Sequence, residues 1–236
     1  MLRGICRICD MPPKKRARGR PAKSAEATPD QVTEETEIRR KKTQKSKSAG
    51  KEGADRDAPV GKAAYCHWLM KSEPESRFEN GVDVKFGIED LKALPNQTGC
   101  WDGVRNYQAR NFMRDMKVQQ LAFFYHSNCK EPGIAGLMKI IKEAYVDHTQ
   151  FDRSDAHYDA SSKPENPKWY MVDVRFERMT KRFLPLAELK KYHLQHKAEG
   201  GALGSLALFT RARLSVQPLS AEEFDFVLSL EDRDPI

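Results

Sequence analysis

The chain has 236 residues, 39% of them apolar and 32% charged, enough to bury the core of one large domain or two small ones. No apolar run approaches the length of a membrane span, and the first ten residues lack the apolar stretch of a secretory signal. The formal charge of +7 is uneven: residues 1–64 hold 17 Lys+Arg against 9 Asp+Glu (+8), and the other 172 hold 24 against 25 (−1). Sequence-independent attraction to a polyanion is therefore expected from the first quarter, and selectivity from the rest. Five scattered cysteines, an odd number, fit reduced thiols in an intracellular compartment.

Residues 1–64 contain no aromatic and few large aliphatics. Such a segment cannot bury enough apolar surface to offset its ordering entropy, so a disordered basic tail is expected. Cys6 and Cys9 have half the spacing of a zinc site, but no second pair stands at a fitting distance, and neither metal nor cofactor is expected. Lys14, Lys15, Arg16, Arg18 and Arg20 form a basic run of the nuclear-localisation type, with an importin as its partner and the nucleus as its destination. Within residues 14–23, Arg18-Gly19-Arg20-Pro21 is similar to an AT-hook core, whose extended arginines fit a narrow, strongly negative minor groove.

Composition changes at Tyr65, and residues 65–232 read as one ordered domain. Tyr65 to Lys71 suggests a buried first strand, broken near Pro74. Ile88, Leu91 and Leu94 suggest a short helix. Asp102 suits a helix N-cap, followed by an apolar face at Ala109, Phe112, Met113 and Met116. Leu121 to Ser127 is a strand by its aromatic density, and Ile134 to Val146 is another, with Gly136 permitting a bulge or a close approach. Asp147 to Lys168 is a long polar loop, of a length often tied to function. Trp169 to Met179 alternates, with Tyr170, Val172, Val174 and Phe176 on one face. Leu186, Leu189 and His193 fit a short helix that stops at Gly200-Gly201. Leu206, Leu208 and Phe209 form a short apolar segment. Leu214 to Pro218 reads as a closing strand, and Ser220 with Glu223 has capping-box spacing for a last helix. The sum is a mixed α+β domain, a small barrel-like sheet with peripheral helices.

One stretch concentrates recognition chemistry: Trp101-Asp102-Gly103-Val104-Arg105-Asn106-Tyr107-Gln108-Ala109-Arg110-Asn111. A helix start there would offer unpaired amides and a positive dipole end to an anion. This stretch, with His67-Trp68-Leu69-Met70-Lys71-Ser72-Glu73-Pro74, Phe124-Tyr125-His126-Ser127 and Arg213-Leu214-Ser215-Val216-Gln217-Pro218-Leu219, resembles the signature segments of the EVE domain family over about residues 65–230. The resemblance implies a PUA-like fold, related to YTH domains, that holds one modified base in a pocket. It implies a nuclear reader of modified cytosine in double-stranded DNA, with 5-hydroxymethylcytosine favoured. Trp101 and Tyr125 are then the expected pocket walls, since ring stacking returns roughly 1–3 kcal/mol per base against an extrusion cost of about a few kcal/mol. Asn106, Ser127, Ser72 and the backbone near Gly103 and Val104 would read the base edge. Lys71, Arg105 and Arg110 would hold phosphates, and a loop around His157 and Tyr158 would cover the pocket mouth.

Three rivals compete, one of them a scaffold whose pocket is vestigial and whose tail alone binds DNA. A methylated-RNA reader would use the same pocket but sense the 2′-OH of a single strand. An enzyme built on Cys129 and His126 is disfavoured, because residues three apart on a strand point to opposite faces.

Overall fold

The computed structural model describes residues 65–79 and 81–236. The readings of the basic tail, including Cys6, Cys9 and the run from Lys14 to Arg20, lie outside the described residues. The elements in order are β1 (His67–Ser72), β2 (Phe78–Glu79), β3 (Val82–Asp83), α1 (Ile88–Ala93), β4 (Thr98–Trp101), α2 (Tyr107–Asp115), β5 (Leu121–His126) and β6 (Gly133–Val146). Then follow β7 (Tyr170–Pro185), α3 (Leu186–Glu199), α4 (Ala207–Thr210), β8 (Val216–Leu219) and α5 (Ala221–Ser229). Six strands form one sheet in the order β4-β7-β6-β5-β1-β8, and β2 pairs with β3. The β1–β5 pair is parallel and the other pairs are antiparallel, so the sheet is mixed as expected.

The alternation of strand residues feeds two cores. Trp68, Met70, Trp101, Ala122 and Phe124 join Val172 and Val174 in one, packed against Ile88, Leu91, Ala109 and Met113 of α1 and α2. Leu69, Phe123, Tyr125 and Leu137 face the other way, with Leu189 of α3 and Phe224 and Val227 of α5. Helix α2 lies against both β7 and β8. In a flat sheet these strands would stand about 19 Å apart, at ~4.8 Å per step, too far for one helix of ~10–12 Å diameter. The sheet therefore curls, in keeping with the barrel-like form expected. Curling is helped where β5 and β6 slip register, between Phe124 and Tyr125 opposite Ile134 and Gly136. A Cβ at Gly136 would stand 2.5 Å from Ile88 Cδ1 and 2.6 Å from the Arg178 carbonyl oxygen, so the bulge needs glycine.

Local signals place the helices. In α5, Ser220 Oγ accepts from the Glu223 amide at 3.1 Å and the Glu223 carboxylate accepts from the Ser220 amide at 2.8 Å, the predicted capping box. In α2 the cap is Asn106, not Asp102: Asn106 Oδ1 accepts from the amides of Gln108 (2.9 Å) and Ala109 (3.0 Å). The helix starts four residues later than its sequence suggests because β4 continues to Trp101 and Gly103 turns the chain at φ +72°. Strand β7 and helix α3 also run longer than their sequence periodicity indicates, as one continuous strand into a 14-residue helix.

The loop between β6 and β7 folds around a buried amide. Gln150 Oε1 accepts from Ser162 Oγ (2.5 Å) and from the amides of Lys168 (3.1 Å) and Trp169 (3.2 Å). Its Nε2 donates to the Trp169 carbonyl at 3.0 Å. These bonds replace the strand ladder that the loop lacks.

Candidate nucleic-acid interface

Parallel pairing of β1 and β5 sets Lys71 beside Tyr125 and Ser72 beside His126. Both serine hydroxyls donate to main-chain carbonyls, Ser72 Oγ to Phe86 (2.5 Å) and Ser127 Oγ to Ser72 (3.0 Å). Their lone pairs remain able to accept. Tyr125 lies inside the core shared with Leu69 and Phe123, and burial, with a smaller push from Cys129, raises its hydroxyl to about 12.

Lys71 links this strand end to the segment before β8. Its Nζ donates to the Ala212 carbonyl at 2.9 Å and sits 5.7 Å from the Tyr125 ring centre, and its amide donates to the Ser215 carbonyl at 2.8 Å. Burial pulls its ammonium below the usual lysine range. A partly desolvated cation held by a carbonyl and a ring, with no ion pair among the described residues, gains from an incoming anion.

Beyond Ala212 lies an open groove of about 280 Å³, lined by Asn106, Gln108, Arg211, Ala212, Arg213 and Leu214. That is close to the lower end of small-ligand pockets, roughly 300–1,000 Å³. Asn106 spends its Oδ1 on the helix cap, so its amide N–H groups remain to donate outward. The groove thus combines side-chain amides, guanidinium groups and the Lys71 link at the start of α2. Of the residues expected at a site, Asn106 lines this groove, and Lys71 reaches it only through its hydrogen bond to the Ala212 carbonyl. Sequence reasoning missed Gln108, Arg211 and Arg213 as site residues. The available signal was two arginines flanking Ala212 in a body of almost no net charge.

Other expected site residues are placed elsewhere. Trp101 is 6% exposed, with Phe86 and Phe124 edge-on at 6.1 and 5.4 Å. It does not face Tyr125, because the two belong to cores on opposite faces of the sheet. The structure does not bring Trp101 and Tyr125 together as paired pocket walls. Val104 also lies in the core of Trp101. The Gly103 amide donates to Asp147 Oδ2 at 3.1 Å and is not free to read a base.

Arg105, expected on phosphate, is engaged within the fold. Its guanidinium donates to Asp147 Oδ2 (2.7 Å), Thr149 Oγ1 (2.9 Å) and the His157 carbonyl (2.7 Å). It latches the long loop to the segment between β4 and α2. His157 lies directly over Gly103, where a Cβ would come within 2.7 Å of its ring. Arg110 stands on the outer face of α2, its guanidinium 4.9 Å from the Tyr107 ring centre and donating to the Lys168 carbonyl at 2.8 Å.

Asp102 lies under this latch. Burial, then the neighbouring Asp147 charge, raise its carboxyl to about 6, against smaller lowering by His157 and the Cys100 thiol. A raised carboxyl favours the folded state while protonated, so its contribution falls as pH rises from about 4 to about 6. Asp102→Asn keeps the shape without the charge. It is expected to raise unfolding free energy above pH 6 by at most about 3 kcal/mol, since one pKa unit is worth ~1.4 kcal/mol. Denaturant titrations of both proteins at pH 4 and pH 7.5 check this: the gain should appear at the higher pH only.

The Cys129–His126 alternative loses ground on geometry. His126 Nε2 accepts from the Ile88 amide at 3.1 Å, which occupies the nitrogen a base would use. Burial pushes the Cys129 thiol up, away from the thiolate. Among the described residues no cluster of three or more His, Cys, Asp or Glu could hold a metal ion.

Known proteins match this chain closely. Thymocyte nuclear protein 1 of Danio rerio is 68% identical over 231 residues, 96% of this chain and 100% of the relative. A crystal structure of human THYN1 protein in complex with 5-methylcytosine containing DNA is 74% identical, with TM-score 0.71, over 72% of this chain and 99% of that one. An X-ray structure of a Pseudomonas putida protein is 38% identical, with TM-score 0.59, over 70% of this chain and 99% of its own. The six-stranded mixed sheet and its helices are the PUA-like fold of these neighbours. The EVE domain profile matches residues 66–230, which spans every strand and helix described above, and the chain belongs to the EVE domain family.

Proposed function

We propose that this protein is a nuclear, non-enzymatic reader of modified cytosine in double-stranded DNA. The observation that carries the reading is the human THYN1 structure with 5-methylcytosine containing DNA, 74% identical to this chain. The groove at the start of α2 supports it with suitable chemistry. A cytosine edge offers an amino donor and acceptor atoms, and side-chain amides can pair with both kinds. Guanidinium planes of Arg211 and Arg213 stack on a base as readily as on a ring. Lys71 supplies charge for the neighbouring phosphate. The side-chain amides of Asn106 and Gln108 favour a 5-hydroxymethyl group, whose hydroxyl they can satisfy. The basic tail adds salt-sensitive general affinity and, through Lys14, Lys15, Arg16, Arg18 and Arg20, engages an importin.

The test uses the full chain and three duplexes that differ at one base: cytosine, 5-methylcytosine and 5-hydroxymethylcytosine. The modified duplexes should bind tighter, the hydroxymethyl one most. Gln108→Ala and Arg213→Ala should each remove discrimination worth roughly 1–3 kcal/mol, the value of one good base-edge pairing. Equal binding to all three duplexes, or full discrimination retained in both variants, sinks the reading.

A further inference from the structure

The outer face of α2 carries a second feature. Tyr107, Arg110 and Arg114 fall at i, i+3 and i+7 along one stripe of the helix, beside the buried Ala109 and Met113. Tyr107 is 54% exposed and stacks on Trp169, ring centres 4.7 Å apart. Arg110 lies over Tyr107, and Arg114 lies over Tyr170 at 5.1 Å. Rings from α2 and from the start of β7 thus hold two guanidinium groups in place on one ridge.

Ion pairing does not explain this arrangement. Like charges at i and i+4 disfavour a helix, and neither arginine belongs to any of the ion pairs formed by the described residues. Other arginines of the domain pair with buried carboxylates, as in Arg105–Asp147, Arg178–Glu231 and Arg182–Glu188. Arg110 spends some donors on the Lys168 carbonyl and on Asn111 Oδ1, whereas Arg114 has its ring contact and no hydrogen bond to the described residues. A guanidinium fixed by a ring, with free N–H groups, is prepared for bidentate contact with phosphate.

The ridge starts where the groove ends, because Asn106 and Gln108 line the groove and Tyr107 begins the ridge. Arg110 and Arg114 stand one turn apart, about 6 Å along the axis. That is on the order of two backbone steps at ~3.4 Å each.

We infer that the Tyr107–Arg110–Arg114 ridge is a second DNA contact surface, which grips the phosphodiester backbone flanking the base held in the groove. This rests on the reading of the groove as a base site. It assigns the ridge to affinity and register, and leaves discrimination to the groove. The planar arginines clamp phosphates two steps apart, while exposed Tyr107 packs against the sugar edge.

The experiment measures affinity of the full chain for the methylated and the plain duplex across a salt series. The proteins are wild type, Arg114→Ala, Arg114→Gln (which keeps the stem over Tyr170) and the double variant Arg110→Ala/Arg114→Ala. Each lost phosphate contact should flatten the slope of log affinity against log salt by about 0.9 and weaken binding roughly fivefold at 0.15 M salt. The double variant should lose about two such steps. The ratio between methylated and plain duplex should stay as in wild type. Unchanged slopes in Arg114→Ala and in Arg114→Gln, with circular dichroism showing both folded, overturn the ridge and leave the groove reading standing. A wild type that fails to discriminate, but whose slope still flattens in these variants, sinks the base reading and keeps the ridge as a DNA contact.

Discussion

Trp101→Ala is expected to lower unfolding free energy by about 3–5 kcal/mol, the usual cost of removing a large buried ring. The ring touches Phe86 and Phe124 edge-on and is fixed by the pairing of Trp101 with Val172 across β4 and β7. Truncation leaves a cavity beside Phe86 and Phe124 that the edge strand β4 and its neighbour β7 cannot close. Binding of DNA should then fall in proportion to the folded fraction, with the preference for modified cytosine intact in the molecules that remain folded. Trp101→Phe, which refills much of the space, should cost less. Denaturant unfolding together with duplex titration checks both halves. Unchanged stability with lost discrimination would return Trp101 to the wall of a base pocket.

Arg105→Ala is the second large effect, again about 3–5 kcal/mol, because it strands a buried carboxylate. Asp147 is fully buried. Burial alone would raise its carboxyl, but hydrogen bonds from Thr149 and Arg105, with the Arg105 charge, outweigh it and hold the group below the usual carboxylate range. A depressed carboxyl contributes stability above its unfolded value of ~3.9 that is lost as pH falls through the folded value. The loss on Arg105→Ala should therefore be greatest near neutral pH and shrink on acidification. Arg105→Ala combined with Asp147→Asn should be less destabilised than Arg105→Ala alone. If it is equally destabilised, the latch works through packing and not through charge.

The parts of the fold legible in sequence were those set by neighbouring residues. Ser220 and Glu223 define a cap within four positions, and Tyr170, Val172 and Val174 define a face by alternation. Gly136 marks a bulge because no other residue fits beside Ile88 and Arg178. The site was less legible because it depends on parity and on distant pairing. Trp101 and Tyr125 each suit a pocket wall, yet β4 and β5 send them to opposite faces of the sheet. Arg105 carries the chemistry of a phosphate ligand, but its partner Asp147 lies 42 positions away and no local pattern announces it. The groove joins Asn106 to Arg211–Leu214 through the curl of the sheet, a property of all six strands together.

The placement of β1 between β5 and β8 governs how the chain matures. The first strand finds its parallel neighbour 54 positions later, from His67 to Leu121, and its other neighbour only at Val216–Leu219. During synthesis its apolar residues Trp68, Leu69 and Met70 wait, half-paired, until almost the whole domain has left the ribosome. Long-range closure of this kind is slow and exposes aggregation-prone edges. A stop codon ahead of residue 216 would leave that strand with an open flank for good, and such a product is a natural client for chaperones and proteases.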